Sequence, residues 1–263
     1  MNCYVVSHNG LGDNLYMIGG ITYLSKFYEH VYFLCKQKYY NNVKLFFVDG
    51  VTCVPFNQNN NEYIEIKNII QNKYEDNDVF ICGECHRHLF PCKITNQTYI
   101  DSICLNKDRY DIQLSNITNQ SYSFIEGFYN DMKLNLSYFY EYFEIPDYKE
   151  SRSLFENVNM YYIIFVQNKC SSGQKLNIEN LVDKYINNKK SIIVCVDENV
   201  YPIGHSKHVL AQKFVMKEVV YYKDTIKNSD EIHLIDSCFL GIILPYAKTN
   251  RLKTNNINIH LRD

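Results

Sequence analysis

Short apolar runs alternate along this chain with longer stretches whose apolar residues recur every three or four positions. Cys3–Ser7 is the first run and reads as a strand. After a glycine turn, Leu15, Ile18, Ile21, Tyr23 and Leu24 mark one face of a helix predicted from Asn14 to about Tyr28. His30–Cys35 predicts a strand, Lys38–Val43 a helical segment, and Lys44–Val48 another strand. Tyr63–Ile66 and Val79–Cys82 read as further short strands. Strands alternating with helical segments predict a parallel α/β sheet. From Ser121 to about Glu144 the pattern is helical and rich in aromatic residues, and IPDYKESRS, with Pro146 and its charged run, interrupts it.

The second half restarts the same pattern. Tyr161–Gln167 is a buried strand, NKCSSGQ a polar turn, Ile178–Asn187 a helix and Ser191–Val196 a strand. The polar loop DENVYPIGHSKH follows, then a short helix near Val209–Phe214, a link at Glu218–Tyr221 and a helix over Tyr222–Ser229. Glu231–Ile235 is a strand, Asp236 and Ser237 open the helix SCFLGIILPYA, and Ile257–His260 is the last strand. The expected fold is α/β, with two tandem Rossmann-like domains, 1–150 and 151–263, facing a central cleft. In such sheets ligands bind beyond the carboxyl ends of the strands.

Composition narrows the classes. The chain has 263 residues, 46% of them hydrophobic, enough for real cores. A net charge of −2 supplies no global basic field for nucleic acid. No apolar run reaches the ~18 residues of a membrane span, and the first residues lack the layout of a signal peptide. A cytoplasmic protein is expected, with its 10 cysteines mostly small hydrophobes rather than disulfide partners.

Four loops could carry chemistry. GLGDN follows the first strand. Gly10 and Gly12 allow close approach there, and Asp13 suits either a helix cap or a general base acting on a hydroxyl. Leu15 stands where a dinucleotide fingerprint needs its third glycine, and no Gly-Lys-Ser/Thr follows, so neither nucleotide loop fits. Lys169, Ser171, Ser172 and Gly173 form an anion site or a serine-rich helix cap. Asp236 and Ser237 form a phosphate-binding helix start or a cap. His205 and His208 line a polar loop, contact a nucleotide or bind metal. CGECHRHLFPC gathers Cys82, Cys85, His86, His88 and Cys92 without a clear second half of a zinc site, so it reads as unligated thiols or zinc.

HNGLGDNLYMIGGITYLSKFY resembles the opening of heptosyltransferase-like glycosyltransferases of the GT-B fold, and IKNSDEIHLIDSCFLGIILPYA resembles a segment near their end. The resemblance covers both ends and the order of elements, but no motif between Tyr63 and Ser121. It implies an enzyme that moves a sugar from a nucleotide-sugar to a hydroxyl of a glycan or glycoconjugate, with inversion. The first domain would take the acceptor, with Asp13 as base and His8, Gly10, Gly12 and Asn14 in the acceptor-side loop. The second would hold the nucleotide-sugar through Lys169, Ser171, Ser172, Gly173, His205, Asp236 and Ser237. The nucleotide side has no Asp-x-Asp motif, so no metal or cofactor is expected; helix N–H groups with Lys and Ser would neutralise the diphosphate. Asn14-Leu15-Tyr16 departs from the small apolar pair and His usual in heptosyltransferases, so the resemblance does not carry a heptose donor. Two alternatives stay open: a non-catalytic nucleotide- or sugar-binding protein of the same fold, and another α/β sugar-nucleotide enzyme.

Overall fold

The computed structural model describes residues 1–7, 10–47, 49–57, 62–71, 73, 76–83, 119–171 and 173–260. The chain divides into two compact units, Met1–Pro146 and Asp147–Asp263, the division falling inside IPDYKESRS. Among the described residues, no helix is long and apolar enough to cross a membrane.

The first unit is built on β1 (Asn2–Val6), β2 (His30–Lys36), β3 (Val51–Phe56) and β4 (Asp78–Ile81). They form one parallel sheet in the order β3-β2-β1-β4. β1 and β4 are almost wholly buried, as befits parallel strands covered on both faces. The helices are α1 (Leu11–Leu24), α2 (Tyr40–Val43), α3 (Glu62–Ile70), α4 (Asn119–Asp131) and α5 (Ser137–Glu141). Tyr4 and Val6 of β1 pack with Leu34, Phe56, Val79 and Ile81 against Ile66 and Ile70 of α3.

Two strand expectations fail here. The strand expected over Lys44–Val48 does not form at Lys44–Phe47: Phe46 is a buried plug, Phe47 meets the Phe33 ring edge-on at 5.4 Å, and the strand comes later, at Val51, while Val48 lies outside the described residues. β3 is an edge strand and half exposed, so its mixed sequence VTCVPF gives a weaker apolar signal than LFF. Tyr63–Ile66 is not a strand either but the first part of α3. Its alternation spans only four residues, and the buried pair is Ile66 and Ile70, one helical turn apart.

α1 approaches α5 closely. A Cβ on Gly19 would lie 2.3 Å from the Tyr138 carbonyl oxygen, and one on Gly20 would lie 2.6 Å from the Met132 methyl. Tyr129 of α4 locks this crossing: its hydroxyl accepts from the Gly20 N–H at 3.0 Å and donates to the Tyr16 carbonyl at 3.0 Å.

The second unit is built on β5 (Tyr162–Gln167), β6 (Ser191–Cys195), β7 (Glu231–Ile235) and β8 (Ile257–His260), a parallel sheet in the order β6-β5-β7-β8. Its helices are α6 (Lys149–Glu156), α7 (Glu179–Tyr185), α8 (His208–Gln212), α9 (Lys223–Asn228) and α10 (Leu240–Lys248). A 3-10 turn at Val219–Tyr222 leads into α9. α6 anchors α9: the Ser151 hydroxyl accepts the Asp224 N–H at 3.0 Å, and the buried Lys223 ammonium meets Asp147 at 2.7 Å. Tyr201 seals the edge strand, its hydroxyl accepting the Ile193 N–H at 2.9 Å.

Each sheet reverses its order of strand addition beside its first strand. In the first unit the reversal lies between β1 and β4, and in the second between β5 and β7. The carboxyl ends at such a reversal form the crevice where ligands of open α/β sheets bind.

Candidate functional site

In the first unit the reversal is flanked by Ser7 and the GLGDN turn on one side and by Cys82–Gly83 on the other. Ladder bonds run past the strands: Ser7 N–H donates to the Leu34 carbonyl and Cys82 N–H to the Val6 carbonyl, both at 3.0 Å. α1 begins three residues earlier than the apolar pattern indicated, because Asp13 sits in its first turn and accepts the Gly10 N–H at 2.7 Å. This is the capping role the sequence allowed. Gly12 lies inside the same first turn. Asn14 is fully buried. Its amide donates to the Gly10 carbonyl at 2.5 Å, while its Oδ1 has no hydrogen-bond partner. Across the reversal Asp131, at the end of α4, accepts the Gly83 N–H at 2.8 Å. That carboxylate carried no sequence signal, being 48 residues away. His8 lies outside the described residues.

In the second unit the structure brings one expected loop onto the end of β5, the strand that leads into another. The Ser237 hydroxyl, at the end of β7, donates to Gln167 Oε1, at the end of β5, at 2.5 Å, and both residues are buried. The Gln167 amide in turn donates to the Lys169 carbonyl. α10 does not open on Asp236 and Ser237 as the sequence suggested. A tight turn intervenes, with the Leu240 N–H bonded to the Ser237 carbonyl at 3.1 Å, and the helix starts at Leu240. Asp236 continues the ladder instead, its N–H meeting the His260 carbonyl at 2.8 Å.

NKCSSGQ is neither a helix cap nor an open anion cradle. Lys169 pairs with Lys175 as an antiparallel bridge, and the Gly173 N–H, in a residue at φ +88°, closes the turn onto the Cys170 carbonyl at 3.0 Å. Ser171 lies in this hairpin, Ser172 lies outside the described residues, and α7 waits until Glu179. An anion does sit on this backbone, and it belongs to the protein. The N–H groups of Asn168 and Lys169 converge on Asp197 Oδ2 at 2.8 and 2.9 Å. Burial pushes the Asp197 carboxyl above its ordinary range, against the pull of those two N–H groups. Glu198 neutralises the lysines, lying 2.8 Å from the Lys175 ammonium and 3.6 Å from that of Lys169, and accepts the Asn168 amide at 2.7 Å. Burial raises the Glu198 carboxyl, but its Lys175 and Asn168 hydrogen bonds outweigh it and leave the group below its ordinary range. Beside the hairpin lies a cavity of about 430 Å³, lined by apolar Leu176, Ile178, Val182 and Val200 together with Lys175 and Glu198.

His205 stands away from this junction. Its ring stacks on Tyr201 at 4.7 Å, along the outer flank of β6, which β5 separates from β7. The sequence grouped it with Asp236 and Ser237, whereas the fold ties it to the sheet edge. His208 Nδ1 lies 2.8 Å from the Tyr201 carbonyl. Among the described residues, no group of three or more His, Cys, Asp or Glu is placed to hold a metal ion. Cys85, His86, His88 and Cys92 lie outside those residues, and Cys82 is buried at the end of β4.

Compared with protein-family models, curated proteins and solved structures, the chain matches none.

Proposed function

We propose that the chain is a nucleotide-sugar-dependent glycosyltransferase of the GT-B kind, acting on a hydroxyl of a glycan or glycoconjugate without a metal ion. The observation that carries the reading is the Gln167–Ser237 contact, which joins the predicted Asp236–Ser237 donor loop to the carboxyl end of β5 at the β5/β7 reversal. The diphosphate docks on the Asp236–Ser237 side of that junction, because Asp197 already holds the N–H groups of Asn168 and Lys169. Asp13, at the β1/β4 reversal, takes the acceptor proton, and Gly10 and Asn14 shape its surroundings.

A second reading is a non-catalytic nucleotide- or sugar-binding protein. It draws support from the same hydrogen bonds, since Asp13 caps a helix and the predicted anion loop is satisfied internally. Thermal unfolding with UDP, GDP, ADP and CMP, followed by transfer assays on the nucleotide that binds, separates the two. The expected result is a raised midpoint with one nucleotide and turnover of its sugar conjugate. Asp13→Asn should keep the nucleotide shift and lower transfer by ~10²–10⁴. Binding without turnover on any acceptor supports the second reading, and no binding of any nucleotide removes the first and leaves the second only as a sugar-binding protein.

A further inference from the structure

Three stretches of the second unit meet around one buried lysine. The Lys207 ammonium lies 5.9 Å from the ring centroid of Tyr161 and 5.7 Å from that of Tyr201, and donates to the Asn188 carbonyl. The turn before β5, the turn before β6 and the loop after β6 are thereby held side by side. Lys213 extends the seam, its ammonium donating to Asn157 Oδ1 at 2.6 Å.

This corner presents two features outwards. The first is apolar: Met160 is 79% exposed, Ile203 91% and Val209 74%. The turn Pro202–His205, closed by the His205 N–H on the Pro202 carbonyl with Gly204 at φ +90°, projects Ile203 into solvent. The second is charge. Asn157–Tyr161, Asn187–Ser191 and Asn199–Lys213 contain four lysines and no carboxylate, in a chain whose net charge is −2. Lys189, Lys190 and Lys213 are exposed among them.

We propose that this corner docks the protein on an anionic bilayer surface, its aliphatic side chains entering the headgroup region and its lysines meeting lipid phosphates. Separate protruding aliphatic points suit a deformable interface, whereas a folded partner needs a contiguous, shape-matched patch. A nucleic acid would call for exposed rings on which bases stack, and the most exposed side chains here are aliphatic. Without carboxylates in these three stretches, the lysines act together on a negative surface.

The test is co-sedimentation of the full chain with phosphatidylcholine vesicles, with and without phosphatidylserine, at low and high salt. Pelleting is expected only with phosphatidylserine and should weaken as salt rises. Lys189→Glu and Lys190→Glu should each lower partitioning by roughly fivefold or more, and Ile203→Asp should lower it further. All three positions are exposed, and an unchanged circular dichroism spectrum shows that the variants fold. No pelleting on phosphatidylserine vesicles, equal pelleting on neutral ones, or full binding by Ile203→Asp would overturn the proposal. So would concentration-dependent self-association, abolished by Ile203→Asp, with no vesicle binding.

Discussion

Gly19 and Gly127 occupy helix interiors for opposite reasons. A methyl group on Gly19 would meet the backbone of Tyr138 and Phe139 at 2.3 and 2.9 Å, and backbone cannot swing aside as a flexible side chain can. A methyl group on Gly127, in α4, would meet nothing within 4 Å. Gly19→Ala should therefore destabilise by about 1–3 kcal/mol or more through overpacking of the α1–α5 crossing. Gly127→Ala should stabilise by about 0.5–1 kcal/mol by restricting the unfolded chain and improving helix propensity. Urea unfolding of both variants checks the pair; equal effects of the same sign would refute the packing argument. The same local chemistry explains α1's early start. Asp13 looked like a candidate base in the sequence, but in the fold it holds the Gly10 N–H, and this bond starts the helix before any apolar periodicity begins.

Among the elements, β7 and β8 hold the groups that should give the second unit its acid sensitivity. His233 of β7 stacks on His260 of β8 with ring centroids 6.1 Å apart, and His233 Nε2 meets Glu231 Oε1 at 2.8 Å. The Tyr185 hydroxyl, from α7, donates to Glu231 Oε2 at 2.6 Å. Burial, and then the neighbouring His233, hold His260 below its ordinary value of 6.5. The unfolded chain therefore takes up this proton first, and stability falls as pH drops below 6.5. Burial pushes Glu231 up, but hydrogen bonds from Tyr185 and His233 outweigh it and leave the carboxyl below its ordinary 4.5, so its contribution is lost as pH falls below that value. His260→Asn should flatten the stability slope between pH 6.5 and 4.5 while leaving the decline below 4.5 in place. Urea midpoints across that range decide it, and an unchanged slope would remove His260 from the account. β7 and β8 were also the most legible elements, because EIHLI and the INIH segment are short, β-rich and bounded by polar turns. β3 and α3 were not. One is an edge strand that half of the apolar pattern leaves exposed, and the other imitates alternation over four residues.

At the scale of the whole molecule, repeated strand-then-polar-loop units pointed to carboxyl-end loops as the places for chemistry, and one of them, at Ser237, meets the carboxyl end of the neighbouring strand at Gln167. What the sequence could not carry was the long-range partner of each loop. Asp197 lies 29 residues beyond Asn168, and nothing in the spacing indicates that its carboxylate fills the site expected for a ligand anion. The setting of His205 was hidden for the same reason: its partner is a tyrosine that seals an edge strand, and strand order is not written locally. The second unit contains every strand of its own sheet, and the ion pairs Lys223–Asp147, Lys175–Glu198 and Lys253–Asp230 are all internal to it. A unit with its own sheet, core and charge partners has what an autonomous domain needs. The fragment Asp147–Asp263 should therefore unfold cooperatively on its own. A nucleotide that raises the midpoint of the full chain should raise the fragment's as well, because Asp236 and Ser237 lie within it. Calorimetry of the fragment with and without that nucleotide is the measurement. A cooperative fragment that no longer responds would place the nucleotide contacts in the first unit and reverse the assignment of donor and acceptor sides.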